Sequence, residues 1–549
     1  MRLWRLAPAA GLITLLGIPL MLPFVEAFFQ GPLPYAGHQQ LLHLAANTLV
    51  LVAGTLALAL PLGIWLAVLF FRTDLPGRRL LLGGTLFALF IPLPLIVSAW
   101  QALIGSDGYF PVWFWGVNAD RPWSAGLLPA IWVNALAGLP WMILIVGIGL
   151  NSVERELEEE GLLAAGPWRV LWRVTLPRCR GAIAAAALWV GLQVAADVTV
   201  TDVLLVPTFA EEIHTQFTMG GPDALARTLL IALPGIVLTW ALLLSAVPAL
   251  ERYLPPLQLG FGKPLLYSLG KRRWPWLMGC LLAGAAFFLV PLLGLVWKLG
   301  LTGTPRAWSA LHAGRQFLGE VHLSGFHVFE TLAVALLTGT LAATLGLVCC
   351  WAARERRLAR VSLLALATLA WTLPAPVVGI GLKETIMALM RWCPIEPLPK
   401  LLYDGPSPVP ILWAHLLRFF PFAVAILWPA VRMVPVELRD AARLEGAGPL
   451  QELWHVYWPM SRRAFLLAML AVAALCLGEV GAAARVETPG WETFAKLLFD
   501  RMHYGVDSNV AALALVLLAG LVITFVAGWV VWKCACYWCG RFVYCKSDK

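Results

Sequence analysis

Long apolar stretches separated by short polar ones run the length of this chain. A helix that crosses a bilayer needs about 20 mostly apolar residues, and twelve runs approach or exceed that, roughly 8–28, 44–71, 80–103, 127–150, 182–206, 228–249, 275–299, 328–351, 361–390, 409–431, 464–484 and 510–532. The runs are continuous and lack the period-two alternation of barrel strands. The predicted fold class is therefore an all-α polytopic membrane protein with twelve transmembrane helices.

Composition excludes the soluble classes. Of 549 residues, 60% are hydrophobic and 13% charged, whereas a soluble domain carries about 25% charged residues. A disordered chain would be polar and charge-rich. The net charge of +9 does not point to nucleic acid, because the basic residues sit in short loops between apolar runs and form no aromatic-interleaved patch. With the N-terminus in the cytoplasm, the segments carrying Arg72, Arg78 and Arg79, then Arg155 to Arg180, Lys271 to Arg273, Arg354 to Arg360, Arg432 to Arg463 and Lys533 all fall on the inner side. This is the distribution that retention of Lys and Arg in the cytoplasm produces. Both termini are thus expected in the cytoplasm, in a multi-pass protein of the cell (inner) membrane. Arg2 and Arg5 before an apolar run also resemble a signal peptide, with Val25-Glu26-Ala27 as a poor cleavage site. The run exceeds the usual 7–15 or so apolar residues of such a peptide, so an uncleaved helix is expected.

The chain also repeats itself at an offset near 282. Pro92 and Pro94 match Pro374 and Pro376, Glu158 matches Asp440, Gly166-Pro167 matches Gly448-Pro449, Trp172 matches Trp454, Pro177 matches Pro459, and Asp197 matches Glu479. The unit is six spans, an even number, so both halves enter from the same side as a parallel repeat about an axis along the membrane normal. This predicts a first six-span half over 1–250, a basic cytoplasmic linker over 251–275, a second half over 276–533 and a cysteine-containing cytoplasmic tail over 534–549. Solute sites in repeat-built transporters lie at such an interface.

The longest inner loops, 151–181 and 432–463, occupy equivalent places. The second reads Glu437-Leu438-Arg439-Asp440-Ala441-Ala442-Arg443-Leu444-Glu445-Gly446-Ala447-Gly448-Pro449 and runs on to Trp458-Pro459. The local chemistry predicts a helix, a break and a second helix: Gly448 suits a left-handed position after a helix end, Pro449 suits the first turn of the next helix, and Pro459 stops that helix. Gly166, Pro167 and Pro177 repeat the pattern.

Here the chain resembles the permease subunits of binding-protein-dependent ABC importers. Their EAA loop, acid-Ala-Ala-x-x-x-Gly followed thirteen residues later by Pro, is matched by Asp440-Ala441-Ala442, Gly446 and Pro459. The first copy is degenerate. Glu158 keeps the acid, Glu159 and Glu160 replace the alanines, Ala164 replaces the glycine, and Gly166 and Pro177 restore the fit. The resemblance implies that each loop docks on a separate ATP-hydrolysing subunit, so two copies of that ATPase and an external or periplasmic solute-binding protein are the expected partners. The bland alternative is a pair of solvated loops whose prolines only end helices. The chain has no G-x-x-x-x-G-K-[ST] phosphate loop, since Gly260-Phe261-Gly262-Lys263-Pro264 lacks both the spacing and the Ser/Thr. ATP is expected on the partner, and the chain itself is expected to be no enzyme and to hold no cofactor. An ion-gradient-driven secondary transporter is the rival reading, because buried acids also relay protons.

Ionisable residues inside spans are costly and commonly line a polar path. Asp197 and Glu479 stand at equivalent positions late in the fifth span of each half, where they serve either a cation path or a structural hydrogen bond. Arg418, with His415 nearby in sequence, serves either an anionic group or an interhelical salt bridge. Within the family, Val206-Pro207-Thr208-Phe209-Ala210-Glu211-Glu212-Ile213, Pro489-Gly490-Trp491-Glu492-Thr493-Phe494-Ala495 and Met502-His503-Tyr504-Gly505 look most like the fused ferric iron permeases. Fused thiamine permeases share the layout, as do unfused sulfate, molybdate and polyamine permeases more distantly. Trp113, Trp115 and Trp123 are expected at the outer interface as anchors. Finally, Cys534, Cys536, Cys539 and Cys545 have the number and type of ligands for a structural Zn²⁺ site, but Cys534-x-Cys536 is tight, and an interfacial segment with incidental cysteines is the alternative.

Overall fold

The computed structural model describes residues 11, 13–29, 38–104, 125–219, 227–237, 240–241, 265–302, 307–502 and 507–544. In chain order its helices are α1 (Ile18–Phe29, after a π-helical turn Ile13–Gly17), α2 (His38–Arg72), α3 (Arg78–Ala88), α4 (Leu93–Ile104), α5 (Leu127–Asn151), α6 (Arg155–Ala164), α7 (Pro167–Val170), α8 (Arg180–Ala195), α9 (Thr199–Val203) and α10 (Phe209–Met219). After α11 (Arg227–Val237) come α12 (Gly270–Leu299), α13 (Ala310–Glu355), α14 (Arg357–Thr372), α15 (Ala375–Trp392), α16 (Val409–Arg432) and α17 (Val436–Leu444). The last are α18 (Pro449–Cys476), α19 (Ala483–Val486), α20 (Phe494–Met502) and α21 (Ser508–Tyr544). A two-residue hairpin, Leu301–Thr302 with Ala307–Trp308, joins α12 to α13.

Each of the twelve expected runs contains helix. Among the described residues seven helices are long and apolar enough to cross a bilayer, or up to nine if each of two bent pairs forms one span, and three more apolar helices are shorter. The chain is a multi-pass α-helical membrane protein. Two expected spans are not straight. Within 80–103, α3 and α4 meet at 99°, and within 361–390, α14 and α15 meet at 114°. The cause is proline: Pro92 and Pro374 sit at the breaks, Pro94 and Pro376 follow within the first turn, and none of the four can donate a helical hydrogen bond. In the other direction, α13 begins eighteen residues before its expected start at 328. Residues 310–327, with Arg315, Gln316, Glu320 and three histidines, are too polar for a span, and Ser309 caps the helix they begin by accepting the His312 amide at 3.3 Å.

The same neighbours recur in the two halves. The helices α2, α5 and α8 pack mutually, and so do α13, α16 and α18. Small residues permit the close approach: a Cβ on Gly63 of α2 would stand 2.5 Å from Cβ of Met142 on α5, and one on Gly339 of α13 would meet the Met469 carbonyl of α18. Two helices pack against distant parts of the chain. Helix α1 packs on α15, and α12 packs on α4. Between the halves lies an aromatic cluster in which Trp189 of α8 stands edge-on to Phe422 of α16 at 4.5 Å between ring centroids and tilts against Trp141 at 5.0 Å.

Candidate functional site

The breaks in the helices face one cleft. Its lining includes Pro92, Asn134, Trp141, Gln193, Asp197, Ala375, Arg418, Phe419 and Glu479, from both ends of the chain. Gly478 lies against the α4 break, where a Cβ would be 3.5 Å from the Leu93 amide nitrogen. The structure therefore brings Asp197, Arg418 and Glu479 to one cleft.

The two acids do not sit in regular helix, however. Helix α8 ends at Ala195 and α18 at Cys476, so Asp197 and Glu479 fall in the breaks just beyond. Each carboxylate supplies acceptors for free amides at the start of a short helix. Asp197 accepts from Thr199 N at 3.1 Å and Val200 N at 2.9 Å; Glu479 accepts from Ala482 N and Ala483 N, both at 2.9 Å. Unpaired amides in an apolar surrounding would be costly, which is why acids occur there. Arg418 Nε stands 3.7 Å from Glu479 Oε1, and His415 Nε2 is 3.9 Å from Oε2, too far for a hydrogen bond. Among the described residues no group of three His, Cys, Asp or Glu side chains is placed to hold a metal ion.

The loops 151–181 and 432–463 form helix, break, helix, but with different chemistry from that expected. Gly448 is not left-handed: its φ is −70°, and it precedes α18 in extended conformation. The left-handed residue is Gly446, φ +80°, one past the Glu445 cap that ends α17. At the equivalent place the first half has Ala164, whose Cβ disfavours that conformation, and α6 ends instead on an extended Ala165 with φ −150°. Pro459 does not stop its helix, and at Pro177 the break comes two residues later, at Cys179, after a short helix Leu176–Arg178. A π-helical turn, Leu453–Tyr457 or Leu171–Thr175, precedes each proline and takes up the register that the missing amide and the ring demand. The two turns lie at the 282-residue offset.

The first loop is held by a buried cluster. Arg72 Nη2 donates to Glu158 Oε1 at 2.9 Å with neither side chain exposed, and Thr175 Oγ1 donates to the same oxygen at 2.7 Å. Glu158 is thus inside, whereas its counterpart Asp440 is 56% exposed. The second loop is held by exposed ions: Glu355 pairs with Arg443 and, at 3.4 Å, with Arg439, and Arg443 Nε reaches the buried Glu452 at 3.1 Å. Ala441 and Gly446 are exposed and Ala442 half-buried. Apolar groups also face outward on both loops, Leu163, Trp168 and Trp172 on one and Leu444, Leu450 and Trp454 on the other. Arg72, Thr175, Glu355, Arg443 and Glu452 were not singled out from sequence, although Arg72 and Arg354 share the 282 offset at the C-terminal ends of α2 and α13.

For the tail, α21 runs on as helix through Cys534, Cys536 and Cys539. The side chains of those residues and the whole of Cys545 lie outside the described residues, as do Trp113, Trp115, Trp123, the 251–264 part of the linker and His503-Tyr504-Gly505.

No protein-family model matches the chain. Among curated proteins it is similar to a putative 2-aminoethylphosphonate transport system permease protein of Salmonella typhimurium, 23% identical over 238 residues that make up 42% of this chain and 84% of that one. It is 32% identical over 126 residues to a molybdenum transport system permease protein of Escherichia coli, 22% of this chain and 52% of the other. It is also 24% identical over 269 residues to a putrescine transport system permease protein of Escherichia coli, 47% of this chain and 90% of the other. These relatives are transport permeases, and the first and third are about half as long as this chain.

Proposed function

We propose that this chain is the membrane-spanning permease of an ATP-driven ABC importer, with two parallel six-span halves in one polypeptide. The observation that carries the reading is the pair of helix–break–helix loops at a 282-residue offset, each presenting exposed apolar groups beside acids. A carrier driven by an ion gradient needs no such docking elements. In this reading α6 and α17 seat on two copies of an ATPase subunit in the cytoplasm, ATP binds there, and a solute-binding protein delivers cargo from outside to the cleft around Asp197, Arg418 and Glu479. The half-length relatives support two permease units in this chain, and the reciprocal packing of α1 on α15 and α12 on α4 supports a repeat. The positive-inside pattern supports cytoplasmic termini in an inner membrane.

The proposed cargo is ferric iron, on the likeness of the 206–213 and 489–495 stretches to fused iron permeases. Asp197 and Glu479 against Arg418 leave one net negative charge in the cleft, which suits passage of a cation without a fixed coordination site. Thiamine and other small solutes are the alternative cargoes. Co-purification in mild detergent tests the permease reading. Retention of an ATPase subunit, and uptake into vesicles that follows internal ATP and not a proton or sodium gradient, is the expected result. Uptake that collapses with an ionophore while ATP is kept high would establish the gradient-driven alternative. Competition of labelled iron uptake by thiamine or by other solutes tests the cargo.

A further inference from the structure

The segment at the end of the linker, residues 265–269, belongs to neither helical half and yet reaches into the first one. It runs beside residues 72–74 at the inner end of α2: Tyr267 N donates to the Arg72 carbonyl at 2.8 Å, Asp74 N donates to the Tyr267 carbonyl at 3.3 Å, and Leu269 N donates to Asp74 Oδ1 at 2.7 Å. Arg72 Nη1 donates to the Leu265 carbonyl at 3.2 Å. The Tyr267 ring, 8% exposed, carries its hydroxyl to the first loop, 3.3 Å from Glu158 Oε1 and 3.1 Å from Thr175 Oγ1.

The second half shows what this phenol replaces. Thr175 corresponds to Tyr457, and Arg72 to Arg354. Arg354 Nη1 donates to the Tyr457 hydroxyl at 3.2 Å and to the Val431 carbonyl at 2.9 Å, and Nη2 donates to the Val434 carbonyl at 2.7 Å. There the phenol comes from the loop's own second helix. In the first half that position holds a threonine, and a phenol arrives from the linker.

We infer that Tyr267 is a positioning residue for the first docking loop, and that Glu158 is a buried strut of that loop, not a contact to the ATPase. The inference rests on the permease reading. Glu158 Oε1 accepts from Arg72, Thr175 and Tyr267 at once, and these bonds tie α6 to α2 and to the π turn before Pro177. The surface left for docking on this half is Leu163, Trp168 and Trp172 with the exposed Glu156, Glu159 and Glu160. The linker therefore does more than join the halves: it completes the docking element of one of them.

Cys179 reports on this brace without any partner subunit. It is 2% exposed, and burial, partly offset by the neighbouring Arg72 charge and helped by the smaller effect of Glu158, pushes its thiol up to about 12. The test uses the full chain with its ATPase and two readouts: alkylation of Cys179 followed by peptide mass spectrometry, and stimulation of ATP hydrolysis. Tyr267→Ala is expected to raise the Cys179 alkylation rate about tenfold and to cut stimulation by a similar factor, because local opening becomes easier when a buried acceptor loses a donor. Tyr267→Phe gives a smaller change in both. Thr175→Tyr placed in the Tyr267→Ala chain is expected to restore both readouts by supplying the phenol as the second half does. Unchanged Cys179 alkylation and unchanged stimulation in Tyr267→Ala would overturn the inference, as would alkylation that rises without loss of stimulation. Absence of stimulation in the unaltered chain would remove the permease reading, and Cys179 alkylation would still decide whether Tyr267 holds the loop.

Discussion

Arg418 Nε lies 3.7 Å from Glu479 Oε1, and Asp197 of the other half lines the same cleft. One cation thus stands among two acids from equivalent positions, and only one of the acids is in ion-pair contact with it. Removing Arg418 leaves Glu479 without its counter-charge in a site where the carboxylate is almost unexposed. Arg418→Met is expected to lower stability by about 3 kcal/mol, whereas the double variant Arg418→Met, Glu479→Gln recovers a large part of that. Thermal unfolding in detergent measures both. Equal losses in the single and double variants would show that the two side chains do not interact.

The carboxylates of Asp197 and Glu479 each accept two backbone amides. An amide side chain keeps one acceptor oxygen of the two. Asp197→Asn and Glu479→Gln are each expected to lose about 1 kcal/mol of stability, the usual scale of a helix cap. If the acids also shape the path, uptake falls further in the double variant than in either single one. Uptake that stays at the unaltered level while the unfolding temperature drops would make capping their whole role.

Gly446, at φ +80°, is the position in the second loop where a side chain is strained. Gly446→Val is expected to cost about 1–2 kcal/mol locally and to reduce ATPase stimulation severalfold while the protein still inserts. Gly448→Ala serves as its control, since its φ of −70° suits any residue and the nearest atom to an added Cβ is Gln451 Oε1 at 3.6 Å. A Gly448→Ala chain as impaired as Gly446→Val would contradict this placement of the turn.

Salt separates the two loops. The Glu355–Arg439–Arg443 ions are 17–39% exposed, and the Arg72–Glu158 pair is fully buried. Between 0.05 and 1 M salt the Debye length shrinks to about 3 Å. Hydrogen exchange of α17 amides is expected to quicken at high salt by a few fold, and that of α6 amides to stay constant. Glu355→Gln is expected to reproduce the high-salt rate in α17. Equal acceleration in both helices would show that the loops are held alike.

The apolar runs could be read because burial in lipid demands length and continuity, and these are visible in any window of the sequence. The loops were legible because Gly-Pro and acid recur at one offset. What escaped depends on through-space partners or on backbone register. Pro92 and Pro374 were visible as matched positions, yet their consequence, helices bent by 99° and 114°, follows from where the next proline falls. Gly446 and Gly448 are both glycines near a helix end, and only the true last residue of α17 decides which becomes left-handed. The π turn before Pro459 lets the helix run on through a proline that ordinarily signals a stop, whereas after Pro177 the helix does end, at Arg178. Glu158 looked like an exposed docking acid because its three donors come from residues 72, 175 and 267, far apart in sequence.

The packing of α1 on the distant α15 sets a timetable for biosynthesis. Helix α1 packs on α15, where Gly381 leaves room for the Pro19 carbonyl. Roughly 350 residues separate the end of α1 from the start of α15, and at the usual 5–20 or so residues per second the ribosome needs about 20–70 s to make them. For that interval α1 resides in the bilayer without its final neighbour, and the nascent first half stays open on the side that α15 will close. Truncated chains released before residue 375 should therefore show α1 accessible to lipid-soluble crosslinkers, and chains released after 392 should not.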